Sequence, residues 1–441
     1  MKNRFLGLAF LIIQLCFASP GFSQPKSSAL PKSSDVTLYQ INIRTFSPDG
    51  NLRGIQPRLD SIKNLGINVI YLMPIYPVGK LRAVNSPYCI SDYKAVNPDF
   101  GNLEDLKALV DSIHARKMSV ILDWVPNHTS YDHSWIKNKS WYLQDSTGNI
   151  LSPPGMGWPD VAQLNFKNMD MRKEMIESMK YWVLNANIDG FRCDYADGPP
   201  FDFWKQAIHE LRKIPNHPML LLAEGRRSDH YKAGFDYNFG FVFFENLKSI
   251  YEKGKSVKSI DSINMAEHKA ASGKQQIVRY LTNHDVNGSD GTPQELFGGE
   301  RGAMAAFVVA AYMNSVPMIY NGQEVGTPFR LVFPFTSKRI DWSLNPKLTA
   351  EYKKLLAIRN NSAALRSNKV ESYSTIDVCA FVKKKGNEQV FVLSNLRDKQ
   401  RSFTVPVKLS HSKWTNAFTG AQYEAGETVS LEPYSYLILS K

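Results

Sequence analysis

Eight short and nearly uninterrupted apolar runs recur along the chain, most of them parted by longer segments of helical periodicity. They open at Leu38-Tyr-Gln-Ile-Asn-Ile43 and continue at Asn68-Val-Ile-Tyr-Leu-Met73, Ser119-Val-Ile-Leu-Asp-Trp124, Asp189-Gly-Phe-Arg-Cys-Asp194 and Leu220-Leu-Leu-Ala-Glu224. The weaker Phe235-Asp-Tyr237, then Ile277-Val-Arg-Tyr-Leu-Thr282 and Pro317-Met-Ile-Tyr320, close the series. Strands without polar alternation belong to a parallel sheet covered on both faces. Residues 103–116 carry apolar side chains at Leu103, Leu106, Leu109, Val110 and Ile113, the spacing of one helix face. Residues 170–184, 201–214, 301–313 and 348–358 repeat that spacing. Eight strand–helix units predict an α/β fold, a (β/α)8 TIM barrel, over residues 35–364.

Two stretches depart from the period. Between the third strand and the helix near Asp170 lies a segment rich in Trp, Asn, Gly and Pro, about residues 127–168. A connection that long is usually functional, and it reads as a short inserted domain. After residue 364 the pattern turns to alternation, at residues 378–382, 390–393, 403–407 and 434–439, which predicts a small antiparallel β-sandwich over 365–441. The N-terminus differs again. Lys2 and Arg4 precede an apolar run at residues 5–17, too short for a membrane-spanning helix, with small residues at Gly21 and Ser23. Residues 1–23 therefore read as a signal peptide, and 24–34 as a flexible leader. Gln14 and Leu15 fit a lipid-attachment box at Cys16 poorly, so export to the periplasm or medium is the expectation.

Charge is the first functional hint to weigh. The formal charge of +12 falls to +10 once Lys2 and Arg4 leave with the signal peptide. Such an excess suits nucleic acid or anionic lipid only if the cations cluster, with aromatics among them in the nucleic-acid case. The one contiguous basic run, Lys383-Lys-Lys385, follows a predicted strand and reads as a solvated face, so no nucleic acid is expected. Cys89, Cys193 and Cys379 remain after cleavage and lie far apart, which predicts free, buried thiols. No further run is long enough to cross a membrane.

Chemistry gathers where strands end. Catalytic groups of a (β/α)8 barrel project from the C-terminal ends of its strands, and Asp123, Asp194, Glu224 and Asp285 all fall there. Arg192 and Asp194 stand two apart on one strand and so share a face. A buried arginine beside an aspartate favours the ionised carboxylate that a nucleophile requires. Glu224 follows an apolar run, where desolvation would raise its pKa and keep a proton for donation. Neighbouring strands lie ~4.8 Å apart, which allows a carboxyl separation of about 5–5.5 Å, the spacing of a retaining glycosidase.

These residues resemble those of glycoside hydrolase family 13, the α-amylase family. The resemblance is carried by Asp123-Trp-Val-Pro-Asn-His128, Gly190-Phe-Arg-Cys-Asp194, Ala223-Glu224 and Thr282-Asn-His-Asp285. Val161-Ala-Gln-Leu-Asn165, Gly322-Gln-Glu-Val-Gly326, and Ser86-Pro-Tyr88 leading to Asp92-Tyr93, add to it. It implies Asp194 as nucleophile, Glu224 as general acid/base and Asp285 as the acid that binds sugar hydroxyls and strains the ring. It further implies a substrate-binding set of Tyr88, His128, Arg192, His284 and Asp123. In that set Tyr88 stacks on the sugar, the histidines bind its hydroxyls, Arg192 orients Asp194 and Asp123 keeps the site in register. Gln323 and Glu324 support the barrel floor.

Departures bear on the details. Where many relatives have a Lys-His pair after the nucleophile, this chain has Asp197-Gly198 followed by Pro199-Pro200, so its leaving-side subsites are built differently. Of the usual calcium ligands only Asn127 is placed, and Gln163 stands where an aspartate is common; the chemistry needs no cofactor and a structural calcium stays open. Trp135, Trp141, Tyr142 and Trp158 fit the core of the inserted domain or outer sugar subsites. The reading is a monomeric α-amylase-like hydrolase of α-1,4-glucans or maltooligosaccharides. A transglycosidase or α-glucosidase shares its chemistry, and a non-catalytic sugar-binding relative would not need the three acids.

Overall fold

The computed structural model describes residues 30–441. The signal-peptide reading and Cys16 lie outside those residues. Ten strands precede the tail: β1 (Leu38–Ile41), β2 (Val69–Leu72), β3 (Ser119–Trp124), β4 (His128–Ser130), β5 (Val161–Gln163), β6 (Gly190–Cys193), β7 (Leu220–Ala223), β8 (Tyr237–Phe239), β9 (Gln276–Arg279) and β10 (Val316–Tyr320). All but β4 and β5 close into one parallel barrel in chain order. The eight strands are buried along their whole length, which is why they lack polar alternation.

The predicted helices surround the barrel, at Leu103–Ala115, Met169–Ala186, Phe201–Arg212, Gly299–Tyr312 and Pro346–Asn361. The first shows how its sequence starts it. The Asn102 side chain accepts from the Asp105 N–H at 3.0 Å, and Asp105 Oδ2 accepts from the Asn102 N–H at 3.1 Å. This reciprocal cap satisfies two donors that the first turn would leave unpaired. Leu106, Leu109, Val110 and Ile113 then face the barrel, fully buried. Two further helices, Phe241–Glu252 and Ser259–His268, lie outside the predicted set, the first with a buried stripe of Phe243, Phe244, Leu247 and Ile250. β8 lies two residues later than its apolar run suggests, because Asp236 spends its carboxylate on the Leu221 N–H and Arg212.

β4 and β5 pair antiparallel at the root of the insertion. Trp135, Trp141 and Tyr142 form its core: the two indoles meet edge to face at 5.2 Å, and the Tyr142 hydroxyl bonds Thr129 Oγ1 at 2.8 Å. Trp158 stands apart from them and lies at the catalytic cleft.

The tail forms an uneven sandwich, a six-stranded antiparallel sheet faced by a two-stranded ribbon (Arg401–Thr404 and Thr428–Leu431). Its second strand, Val378–Lys385, divides its side chains by parity. Val378, Ala380 and Val382 enter the sandwich core with Phe391, Phe403 and Trp414. Cys379 and Phe381 face the barrel and join its core. Lys383 has the same parity and is fully buried, with Nζ donating to Asn314 Oδ1 at 2.7 Å. The expectation of a solvated basic run therefore fails at Lys383, because the strand continues through it. Burial, with Arg359 and Arg279 nearby, pushes its pKa well down.

The leader also ends sooner than its composition suggests. Ser33–Asp35 is a turn of 3-10 helix, and the Ser33 and Ser34 carbonyls accept from Tyr237 Oη and Arg359 Nη2. A buried guanidinium needs several acceptors, and these residues supply one. Cys89, Cys193 and Cys379 are free and buried, as expected. Among the described residues no helix is long and apolar enough to cross a membrane.

Candidate active site

Register places the acids. Asp123 on β3 lies opposite Arg192 on β6, and Cys193 lies opposite Ala223 on β7. Asp194 and Glu224 thus leave adjacent strands at the same level, with Asp194 N–H donating to Trp124 O at 2.8 Å and Glu224 N–H to Cys193 O at 3.0 Å. The close approach of β6 to β7 explains Gly190, whose φ is +148°. A Cβ there would sit 1.9 Å from the Leu220 carbonyl oxygen.

Arg192 is the hub. Its Nη1 donates to Asp123 Oδ1 at 2.6 Å and Asp194 Oδ1 at 2.9 Å, and its Nη2 pairs with Glu224. Glu224 Oε2 accepts from the Tyr195 N–H at 2.9 Å. The sequence placed Glu224 in an apolar setting; the structure gives its carboxylate a cation and an amide donor instead. One guanidinium thus serves three largely buried carboxylates. Burial pushes the Asp194 carboxyl well up, and Glu224, Asp123 and Asp285 add to this against the pull of Arg192. Arg192 opposes this rise and does not cancel it.

The residues expected to bind substrate divide into two layers. Arg192 and Asp123 are buried beneath the other acids and hold them, so they are supports and not contacts for a ligand. Asp285 faces the opening with its side chain 60% exposed, and its Oδ1 lies 3.4 Å from His284 Nε2. His284 completes a chain of hydrogen bonds. Gln40 Nε2 donates to its Nδ1 at 2.7 Å, its Nε2 meets Tyr88 Oη at 2.6 Å, and Tyr88 Oη donates to Asp123 Oδ2 at 3.0 Å. Tyr71 Oη donates to the same oxygen at 2.6 Å. The Tyr88 ring stacks on His284, with centroids 5.3 Å apart. His128 meets Trp158 edge to face at 5.5 Å. Burial pushes both histidines down to about 4, helped at His284 by Arg192, so both are neutral at pH 7.

Gln40, Tyr71, Tyr195 and His230 are site residues that motif reading missed. Tyr195 adopts φ +39°, a left-handed conformation that costs a non-glycine residue about 1–3 kcal/mol. It is held there by Glu224 and by an edge-to-face contact with Trp158 at 5.3 Å. Asp197 stands at the position where the family resemblance led to the expectation of a lysine. It accepts from the Arg226 N–H at 2.8 Å, the Arg227 N–H at 3.1 Å and His230 Nε2 at 2.8 Å. Burial works to raise its pKa, but these hydrogen bonds bring it below the usual carboxylate value. The loop after the nucleophile is thereby clamped to the loop after Glu224. Asp197→Ala is expected to lower kcat on maltoheptaose by about 10- to 100-fold through misplacement of Glu224. An unchanged kcat would show that the clamp does not position it.

Beyond Tyr195 lies a cavity of about 550 Å³ lined by Met156, Gln163, Gly198 and Pro200 among others, room for the leaving part of a substrate. Asn127 and Gln163 bond each other there, Asn127 Nδ2 to Gln163 Oε1 at 3.0 Å and Gln163 Nε2 to Asn127 Oδ1 at 3.2 Å. Calcium takes about six to eight oxygen ligands and favours carboxylates. A pair of mutually satisfied amides does not fit it.

Comparison with known proteins agrees with this geometry. The family described as "Alpha amylase, catalytic domain" matches residues 25–149 and 155–332, and "Alpha-amylase SusG C-terminal domain" matches 378–438. Alpha-amylase 2 of Dictyoglomus thermophilum is 28% identical, covering 92% of this chain and 76% of the relative. A cyclomaltodextrinase of Geobacillus thermopakistaniensis is 26% identical over 88% of this chain and 70% of its own. The crystal structure of an α-amylase from Lactobacillus plantarum superposes with a TM-score of 0.81 at 24% identity, covering 93% of this chain and 99% of that one. With the catalytic-domain family spanning most of its length, the chain belongs to the α-amylase family, glycoside hydrolase family 13, as an enzyme of the amylase type.

Proposed function

We propose that the protein is a retaining hydrolase of α-1,4-glucosidic bonds in starch, glycogen or maltooligosaccharides. The observation that carries this is the pairing of Asp194 and Glu224 at register-matched ends of adjacent strands, both on Arg192. Neighbouring strands support a separation of about 5–5.5 Å, which leaves no room for the intervening water of an inverting enzyme. Relatives named α-amylase and cyclomaltodextrinase over about nine-tenths of the chain support the glucan substrate.

In this reading Glu224 is the general acid and Asp194 the nucleophile. Glu224 gives a proton to the glycosidic oxygen as an Asp194 carboxylate oxygen attacks C1, so the C1–O bond breaks and a glycosyl ester forms. Glu224, now ionised, takes a proton from water, and the resulting hydroxide attacks C1 and releases Asp194. Two inversions give net retention. Asp285 and the neutral His128 and His284 hydrogen-bond sugar hydroxyls, while the open face of Tyr88 stacks on the pyranose. Residues 1–23, as a cleaved leader, deliver the enzyme to the periplasm or medium.

A proton NMR time course on maltoheptaose tests the reading. The first new reducing ends should be α-anomers, with β-anomers appearing later at the rate of mutarotation. Initial β-anomers would overturn the mechanism. Products longer than the substrate would identify a transglycosidase using the same acids.

A further inference from the structure

At the bottom of the barrel, away from the ends that carry the acids, the N-terminal residues, the β8–β9 connection and the tail enclose a groove of about 840 Å³. Ligand sites typically occupy ~300–1,000 Å³. Six cations line it: Lys32, Lys274, Arg366, Lys369, Lys384 and Lys385. They come from four distant stretches of sequence, so the fold collects them. The surplus positive charge is therefore not scattered, and part of it converges in one concavity.

Their counter-charges are few. Arg366 pairs with Asp35 at 2.6 Å. Among the described residues the five lysines make no ion pair and no ammonium hydrogen bond, and residues 1–29 contain no acid that could supply one. The acids on neighbouring strands are engaged elsewhere. Glu388 accepts from Ser362 Oγ and the Ala364 N–H, and Glu371 pairs with Lys408. Like charges in a concave wall focus a positive potential, and a bound polyanion relieves it.

We propose that this groove is a second binding site, specific for the phosphate monoester of a phosphorylated saccharide. A phosphate monoester carries about −1.5 to −2 charges at pH 7 and three acceptor oxygens, which suit ammonium and guanidinium donors. Ser33, Ser34, Ser367, Asn368 and Gln276 add hydroxyls and amides to the wall, the partners that sugar hydroxyls need. The same lining disfavours two other polyanions. It contains no aromatic ring on which bases could stack. None of the large exposed apolar side chains, such as Ile376 or Val407, lies in it to anchor a membrane. The inference is independent of the hydrolase reading, because the groove shares no residue with the acid cluster.

Isothermal titration calorimetry at low ionic strength tests it, with glucose 6-phosphate, glucose and inorganic phosphate as probes. The protein and its K369E/K385E variant are compared; both side chains are exposed and unpaired, so the fold tolerates the change. Glucose 6-phosphate should bind, glucose should not, and inorganic phosphate should bind at least ten-fold more weakly. The variant should lose at least ten-fold in affinity for glucose 6-phosphate while hydrolysing maltoheptaose at the unaltered rate. Added salt should weaken binding by screening. Absence of binding, or equal binding by the variant, would overturn the site. Equal affinity for inorganic phosphate would overturn its saccharide specificity. Sedimentation with phosphatidylglycerol vesicles, lost in the variant and without glucose 6-phosphate binding, would assign the groove to a membrane surface and overturn the proposal.

Discussion

Replacing Glu224 by glutamine is expected to lower kcat on starch by about 10²- to 10⁴-fold while the protein stays folded. Glutamine keeps the shape of the side chain but has no proton to give the glycosidic oxygen. It meets the Arg192 guanidinium and the Tyr195 N–H with one oxygen where the carboxylate offered two. One of those bonds is lost, a local cost of about 1–3 kcal/mol. The substitution also removes one of the carboxylates that push Asp194 upward, so the nucleophile ionises more readily. A selective defect follows. α-Maltosyl fluoride, whose fluoride departs without protonation, should still glycosylate Asp194 in the variant, seen as a burst of fluoride. Starch hydrolysis within a few-fold of the native rate would remove Glu224 from the acid/base role. Loss of the fluoride burst together with starch hydrolysis would point to a collapsed site.

The acids were legible in the sequence because Asp123 lies at the end of β3, Asp194 and Glu224 directly follow β6 and β7, and Asp285 lies in the connection after β9, all on the catalytic side of a barrel. Their hydrogen-bonding partners were not. Gln40 in β1 reaches His284 only because the barrel closes, and Tyr71 in β2 reaches Asp123 across the neighbouring β3. One signal was present: Gln40 is a polar residue inside a wholly buried strand, and a buried amide needs partners. Asp197 was noticed as a departure from related chains, yet its function as a clamp depends on Arg226, Arg227 and His230, some thirty residues later. Motif spacing cannot supply such pairings, since they depend on how two loops fold over each other.

The tail teaches the same point about period. Alternation at residues 378–382 announced a strand, but the three lysines that follow looked like its end. The strand runs on to Lys385, and Lys383 and Lys385 share a parity and hence a face. Lys383 is buried against the barrel, while Lys385, two residues further at the end of the strand, is exposed at the groove, so position along the strand divides the run. Similarly, the strands at Ser412–Asn416, Gln422–Ala425 and Thr428–Leu431 are short and half exposed, so few apolar residues mark them.

Removing the hub should have the largest effect on stability. In Arg192→Met the aliphatic part of the side chain is retained, but Asp123, Asp194 and Glu224 lose their common cation. Breaking a buried ion pair by deleting one partner costs about 3–5 kcal/mol, because the remaining charge stays desolvated. The sign of the pH dependence distinguishes this cause from a simple packing loss. Burial already raises the Asp194 and Asp123 pKa values in the folded state, and without Arg192 both rise further. The folded protein then binds more protons than the unfolded chain between the unfolded carboxyl value of about 4 and the raised folded value. In that window stability falls as pH rises. The variant should therefore be most destabilised relative to the native protein at pH 8, and the difference should narrow at pH 5 as the buried acids take up protons. Thermal denaturation of both proteins at the two pH values measures it. A deficit independent of pH would mean that Arg192 acts through packing, and a deficit that grows at pH 5 would contradict the electrostatic account of the site.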